Sequence, residues 1–183
     1  MHAMLRSLAL SWFSFFSIFA YAGGTPRGAP SKPPEVVASV DLKRYQGKWF
    51  EIARLPNRFQ KDCFNATAEY ALKADGKVSV TNRCKSITGE DKMVVGTAWS
   101  TNAPANTKLK VRFFWPFSGD YWVLALDPAY RWVIVGGPNY KNLWILSREI
   151  PLESSLLQKL LDIAAQKGYD TSNLIFDPNI QLR

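Results

Sequence analysis

The most constraining feature of the sequence is a two-residue alternation of apolar and polar side chains, which recurs from about position 49 to position 147. Leu109, Val111 and Phe113, for example, alternate with lysines and an arginine. Successive side chains of a β-strand point to opposite faces, so this period is typical of strands with one buried and one wet face. The pattern predicts eight strands, at residues 49–55, 66–72, 77–83, 93–100, 107–113, 121–126, 132–135 and 143–147.

Turn-forming segments separate these strands, among them residues 75–76, 102–104 and 137–139. The connections are short enough for hairpins. Eight hairpin-linked strands predict an all-β fold, an eight-stranded antiparallel up-and-down barrel whose interior can hold one small ligand. A two-sheet β-sandwich is the competing arrangement.

A helical spacing of apolar residues follows the last strand. Ser154 and Ser155 offer amino-terminal caps, and Gly168 fits the carboxyl-terminal stop. We expect one C-terminal α-helix packed on the outside of the barrel, with an apolar stripe formed by Leu156, Leu157, Leu160, Leu161 and Ala164.

The amino terminus predicts export. Arg6 precedes an apolar stretch at residues 8–21, and residues 20–22 form a small-x-small cleavage pattern. We therefore expect a signal peptide at 1–22, with an uncleaved anchor as the alternative, then a proline-rich linker at 23–34 and one domain at 35–183. No cysteine lies directly after the apolar stretch, so we expect a periplasmic protein without a lipoprotein acyl anchor, which can still associate with the outer membrane.

The lack of histidine in the mature chain excludes many kinds of enzyme. The single histidine of the sequence, His2, lies in the predicted signal peptide, so the mature chain lacks an imidazole base, a Ser-His-Asp system and a His-ligated zinc site. The sequence therefore predicts no catalytic residue, no metal site and no cofactor. The formal net charge of +8 is dispersed along the chain, which argues against nucleic-acid binding. It suits contact with an anionic membrane or ligand headgroup, and a charge that only keeps the protein in solution is the alternative.

Two cysteines in an exported chain favour a disulfide between Cys63 and Cys84. A hairpin register that pairs Tyr70 with Val78 places Phe64, rather than Cys63, opposite Cys84. A bulge, or a position of Cys63 just before the strand, would remove this mismatch.

Three segments resemble a known family. Residues 41–59 contain Tyr-Gln-Gly-Lys-Trp-Phe-Glu-Ile-Ala-Arg-Leu-Pro, residues 126–130 read Leu-Asp-Pro-Ala-Tyr, and residues 143–148 read Leu-Trp-Ile-Leu-Ser-Arg. These motifs resemble those of the lipocalins, particularly the bacterial outer-membrane lipocalins related to apolipoprotein D. The resemblance runs from about residue 40 to residue 176.

Barrel connectivity brings the three motifs to one end. The first strand leaves the end to which the eighth returns, and the turn after the sixth strand lies there too. We expect a structural plug in which the Arg148 guanidinium stacks over the Trp49 ring. The members of the plug are Gly47, Trp49, Asp127, Tyr130 and Arg148.

The opposite end is predicted to be the entrance, with aromatic loop residues Phe59, Trp115, Phe117 and Tyr140 among scattered lysines. These rings could instead fold inward as a lid.

Strand parity predicts a ligand-binding interior lined by Leu109 and by Tyr70, Val80, Val111, Phe113, Tyr121, Val123, Trp144 and Leu146. On the last three strands apolar residues occupy both faces, so parity assigns the inward face less clearly. Either Tyr121 or Trp122, and either Val133 or Trp132, could point inward. Glu51 also faces inward and needs Arg54, Arg112 or water as its partner.

The resemblance implies a binding protein for a fatty acid or lysophospholipid, which it stores or transports in the cell envelope. A lipocalin-fold enzyme acting on a lipid and a ligand-free structural or interaction protein are the alternatives. The oligomeric state stays open.

Overall fold

The computed structural model describes residues 30–178, 180 and 182–183, so the predicted signal peptide and most of the predicted linker lie outside the described residues. The strands are β1 (Gly47–Arg54), β2 (Phe64–Leu72), β3 (Val78–Lys85), β4 (Asp91–Ser100), β5 (Lys108–Phe114), β6 (Phe117–Leu126), β7 (Trp132–Gly136), β8 (Leu143–Ser147) and β9 (Ile175–Phe176).

Strands β1 to β8 form a closed antiparallel barrel. Each strand pairs with the next, β8 pairs with β1, and β1 also pairs with β2. The ring of pairings confirms the predicted up-and-down barrel and excludes the two-sheet sandwich. Closure leaves no unpaired edge among these eight strands, which removes the usual site of edge-to-edge aggregation.

Strand β1 is the seam of the barrel. Its first half pairs with β2, and its second half pairs with β8 and with the short strand β9. A register irregularity between Glu51 and Ala53 interrupts the pairing with β8. The extra residue, Ile52, shifts the side-chain alternation by one position. Glu51 and Arg54, three residues apart, therefore both point into the barrel.

Two hydrophobic cores lie on opposite sides of the sheet. The interior core contains Trp49, Tyr70, Tyr121 and Val133. The exterior core lies under the helix and contains Trp122 and Trp132, which resolves both ambiguous parity assignments in favour of Tyr121 and Val133 inside.

The helix α2 (Ser154–Gln166) packs on the outside of the barrel, as predicted, through the buried Leu160 and Ala164. The prediction that Ser154 or Ser155 caps its amino terminus was wrong. Glu153 is the cap residue and makes no side-chain capping bond, while Ser154 already belongs to the helix. Gly168 ends the helix with a φ of +93°, a left-handed conformation that glycine adopts without a Cβ clash.

The hairpin of β2 and β3 carries the disulfide. Cys63 and Cys84 are bonded, with their Cα atoms 5.4 Å apart, which confirms the predicted pair. The simple register was wrong, because Tyr70 pairs with Val80 rather than with Val78. Both expected remedies are present: β2 has a bulge near its start, and Cys63 lies just before the strand.

The segment before β1 lies against the barrel. The Tyr140 hydroxyl donates a hydrogen bond to the Lys32 carbonyl, and Pro34 is buried, so the described end of the predicted linker is docked. A short helix α1 (Leu42–Tyr45) follows, capped by the Asp41 carboxylate. Within the described part of the chain, no helix is both long and apolar enough to span a membrane.

Candidate functional site: the barrel interior and its two ends

Arg148 closes one end of the barrel. Its guanidinium carbon lies 3.9 Å above the centre of the Trp49 ring, and Nη2 donates to the carbonyls of Arg44, Tyr45 and Gln46 at 2.6–3.1 Å. Nη1 donates to the Lys48 carbonyl at 2.9 Å. One cation thus holds both the Trp49 ring and the carbonyl end of α1.

Gly47 lies directly beside this guanidinium. Its φ is +91°, and a Cβ placed there would lie 3.2 Å from Nη1 of Arg148. Both the backbone conformation and the close approach favour glycine at this position.

The turn after β6 joins the same end. The Asp127 carboxylate accepts hydrogen bonds from the Arg131 side chain and from the backbone of Ala129 and Arg131, and these bonds lower the pKa of the Asp127 carboxyl. The Tyr130 hydroxyl accepts from the Asp41 amide at 2.9 Å, and the Tyr130 ring stacks with an arginine of α1. The three sequence motifs therefore meet at the closed end.

The predicted lining residues divide by exposure. All nine belong to the interior core or pack against it. Five are at most 6% exposed, namely Leu109, Tyr70, Val80, Val123 and Leu146. The other four keep part of their surface accessible although they face inward: Val111, Phe113, Tyr121 and Trp144. Their role in ligand binding stays a prediction.

Three tyrosines form a hydrogen-bonded group inside the barrel. The Tyr121 hydroxyl lies 2.7 Å from that of Tyr45 and 2.8 Å from that of Tyr70. Burial raises the pKa of all three phenols, that of Tyr70 to about 12, so they stay neutral at physiological pH. Tyr45 was not among the predicted interior residues, because it lies in α1, before the first strand.

Glu51 has the arginine partner that its burial requires. Arg54 Nη1 donates to Glu51 Oε1 at 2.6 Å, and Gln60 Nε2 donates to Oε2 at 2.7 Å. Burial raises the pKa of the Glu51 carboxyl, and the Arg54 charge opposes this shift. Trp144 Nε1 donates to Gln60 Oε1 at 2.7 Å, which ties the network to the accessible part of the interior. Gln60 was missed, because a loop residue has no strand parity to orient it.

The opposite end of the barrel exposes large apolar side chains. Phe59 is 75% exposed, Trp115 82% and Phe117 78%, so these predicted entrance residues do not fold inward as a lid. Ile87 and Phe114, which the sequence interpretation did not single out, are exposed at the same end.

The structure places the Tyr140 ring on the outside of the barrel, which differs from its predicted position at the entrance. Its ring packs against Tyr169 at 5.1 Å between centroids, and it joins the exterior core beside the end of α2. It therefore stabilises the outside of the barrel and does not border the interior. In the described residues, no three His, Cys, Asp or Glu side chains come together as a group that could hold a metal ion.

A closed eight-stranded barrel with an apolar interior and an exterior helix defines a class of proteins that bind small hydrophobic ligands. The family described as a lipocalin-like domain matches residues 40–179, and the chain belongs to the lipocalins.

Among similar proteins, the outer membrane lipoprotein Blc of Escherichia coli (strain K12) is 37% identical over 174 residues, which cover 94% of this chain and 96% of that protein. Blc of Vibrio cholerae is 41% identical over 142 residues, covering 76% and 83%. Apolipoprotein D of Macaca fascicularis is 32% identical over 149 residues, covering 77% and 78%. The predicted resemblance to outer-membrane lipocalins and apolipoprotein D is confirmed.

Solved structures support the same fold. Insecticyanin from the tobacco hornworm Manduca sexta is 25% identical, with a TM-score of 0.64, over 84% of this chain and 87% of that chain. Family membership supports the binding of a small hydrophobic ligand, and the outer-membrane relatives support a location in the cell envelope.

Proposed function

We propose that this protein binds a fatty acid or lysophospholipid inside the barrel and stores or carries it in the cell envelope. The observation that carries this proposal is the accessible surface of four inward-facing side chains on β5, β6 and β8, namely Val111, Phe113, Tyr121 and Trp144. Apolar and aromatic surface that is open inside a barrel matches the usual lining of a small-molecule site.

The polar groups near Trp144 support a single-chain amphiphile. Arg54 and Glu51 neutralise each other, and Gln60 satisfies the Trp144 indole, so the Trp144 ring is free to contact a hydrocarbon chain. The headgroup lies toward the entrance, where Lys61 and Lys92 are exposed. An acyl chain buried in this space gains roughly 0.8 kcal/mol per methylene.

We further propose that the entrance contacts a membrane surface during ligand exchange. Three exposed aromatic rings, Phe59, Trp115 and Phe117, lie at the end where lysines are exposed. Aromatic and cationic side chains together favour binding at an anionic lipid interface. Because Cys63 and Cys84 are bonded to each other, this peripheral contact uses no acyl chain on either cysteine.

Extraction of lipids from the natively purified protein, followed by mass spectrometry, tests the occupancy of the barrel. We expect a co-purified single-chain lipid that is released unchanged. A hydrolysed or isomerised product would instead support an enzyme, and the absence of lipid from protein that also fails to bind added lipid would overturn the proposal.

A fluorescent fatty acid then locates the site. Trp144→Asp removes the indole ring and places a carboxylate in the cavity, and it is expected to weaken binding about tenfold or more. Trp144→Phe keeps an aromatic ring and should weaken it less. Lys110→Ala is the control, since Lys110 pairs with Asp120 at 2.8 Å on the outer face. Unchanged affinity in folded Trp144→Asp protein would exclude this pocket, and strong loss in Lys110→Ala would indicate surface adsorption.

A further inference from the structure

Two tyrosines meet across the full width of the barrel. In the ring of eight strands, β2 and β6 are four positions apart in either direction, so they form opposite walls. Tyr70 extends from β2 and Tyr121 from β6, and their hydroxyls lie 2.8 Å apart. The two side chains together therefore bridge the interior from wall to wall.

Tyr45 closes the space under this bridge. Its hydroxyl lies 2.7 Å from that of Tyr121, and its ring centroid lies 5.3 Å from that of Tyr70 and 5.1 Å from that of Trp49. Trp49 is 0% exposed, Tyr45 4% and Tyr70 6%, whereas Phe113 and Trp144 keep accessible surface. The interior is thus filled on the closed side of the tyrosines and accessible on the entrance side.

We infer that the Tyr45–Tyr70–Tyr121 group is the floor of the ligand site and sets the longest acyl chain that the barrel accepts. The inference rests on the proposed function and adds a determinant of specificity to it. A chain that enters at the loops extends until its terminal methyl meets the phenol rings. Additional methylenes must then stay outside or bend.

The hydrogen bonds give the floor a fixed position. Tyr121 contacts both other hydroxyls, so movement of its ring breaks two buried hydrogen bonds at once. The phenols satisfy one another and carry no charge, and therefore a hydrocarbon end can rest against the rings without burying an ion.

A chain-length series measures the depth of the site. Saturated fatty acids from octanoate to eicosanoate compete with a fluorescent fatty acid, each below its micelle concentration. For the parent protein we expect affinity to rise about fourfold per methylene up to a break and then to level off or fall. A series without any break would overturn the inference.

Tyr121→Val removes the ring that spans from β6 and is expected to move the break to longer chains. Tyr70→Val removes the opposite half of the bridge and should act in the same direction, which keeps the test decisive if one variant fails to fold. Tyr121→Phe keeps the ring and loses both hydroxyl contacts. A break that stays in place shows that the ring itself sets the depth, and a break that moves to longer chains shows that the hydrogen bonds hold the ring there.

Phe113→Val is the matched control, because it makes the same kind of truncation on the side wall. It should weaken all chain lengths by a similar factor and leave the break in place. If folded Tyr121→Val and Tyr70→Val keep the parent's break, the floor lies elsewhere and the inference is wrong. Failure of the parent to bind any fatty acid would instead be a failure of the proposed function.

Discussion

Replacement of Trp49 by alanine is expected to destabilise the barrel before it affects the choice of ligand. The Trp49 side chain is 0% exposed, its Nε1 donates to the Tyr45 carbonyl at 3.0 Å, and the Arg148 guanidinium stacks on its ring. All of these interactions lie at the closed end, beneath the tyrosine floor. The change therefore removes structural interactions and leaves the accessible lining intact.

The size of the destabilisation depends on what surrounds the Trp49 ring. Truncation of a core aromatic residue to alanine costs about 3–5 kcal/mol, and removal of a buried hydrogen bond and a cation–π interaction favours the upper end of that range. A cost of about 5 kcal/mol is a large share of the roughly 5–15 kcal/mol that stabilises a typical domain. Urea unfolding followed by far-ultraviolet circular dichroism measures this difference without relying on tryptophan fluorescence.

Trp144→Ala is the matched control for Trp49→Ala, because it also deletes an indole ring but from the accessible part of the interior. We expect it to unfold closer to the parent and to lose more ligand affinity than the Trp49 variant. A Trp49→Ala protein that unfolds like the parent but no longer binds ligand would show that Trp49 belongs to the ligand site, and our separation of plug and cavity would then be incorrect.

Three other changes have defined outcomes. Reduction of the Cys63–Cys84 disulfide should lower the free energy of unfolding by about 2–4 kcal/mol in urea titrations. Asp127→Asn should cost about 1–2 kcal/mol at pH 7; because hydrogen bonds from arginine lower the pKa of this carboxyl, the parent's advantage should shrink as the pH falls below about 4. The double substitution Trp115→Ser and Phe117→Ser removes two exposed entrance rings, so less of the protein should sediment with anionic vesicles.

Each of these outcomes has a control. Two thiols that alkylate freely without reductant would contradict the disulfide. A pH-independent difference between parent and Asp127→Asn would show that the carboxylate is not the stabilising form. Ile150→Ser removes an exposed apolar side chain just after β8, at the closed end, and should leave vesicle binding unchanged; an equal reduction would point to general surface hydrophobicity instead of the entrance loops.

The strands were predictable because a strand that is buried on one face carries apolar side chains at every second position. The positions that escaped prediction depend on interactions between residues distant in the chain. Gln60 joins the Glu51 network only when its loop folds back to bring its side chain to Glu51 and Trp144. The bulge at Ile52 is defined only by the register of β1 against β8. Helix α1 has four residues, too few for a helical period, and β9 forms only by pairing with β1.

The seam at β1 has a consequence for the order of folding. Arg148 bonds to the Lys48 carbonyl, 100 residues earlier in the chain, and β8 pairs with the strand that contains Lys48. The hairpins from β2 to β7 can form from neighbouring segments, whereas ring closure requires both ends of the sheet. Until β8 arrives, β1 and β7 each present an open edge, and an unclosed intermediate is therefore the state in which two chains can exchange or aggregate strands.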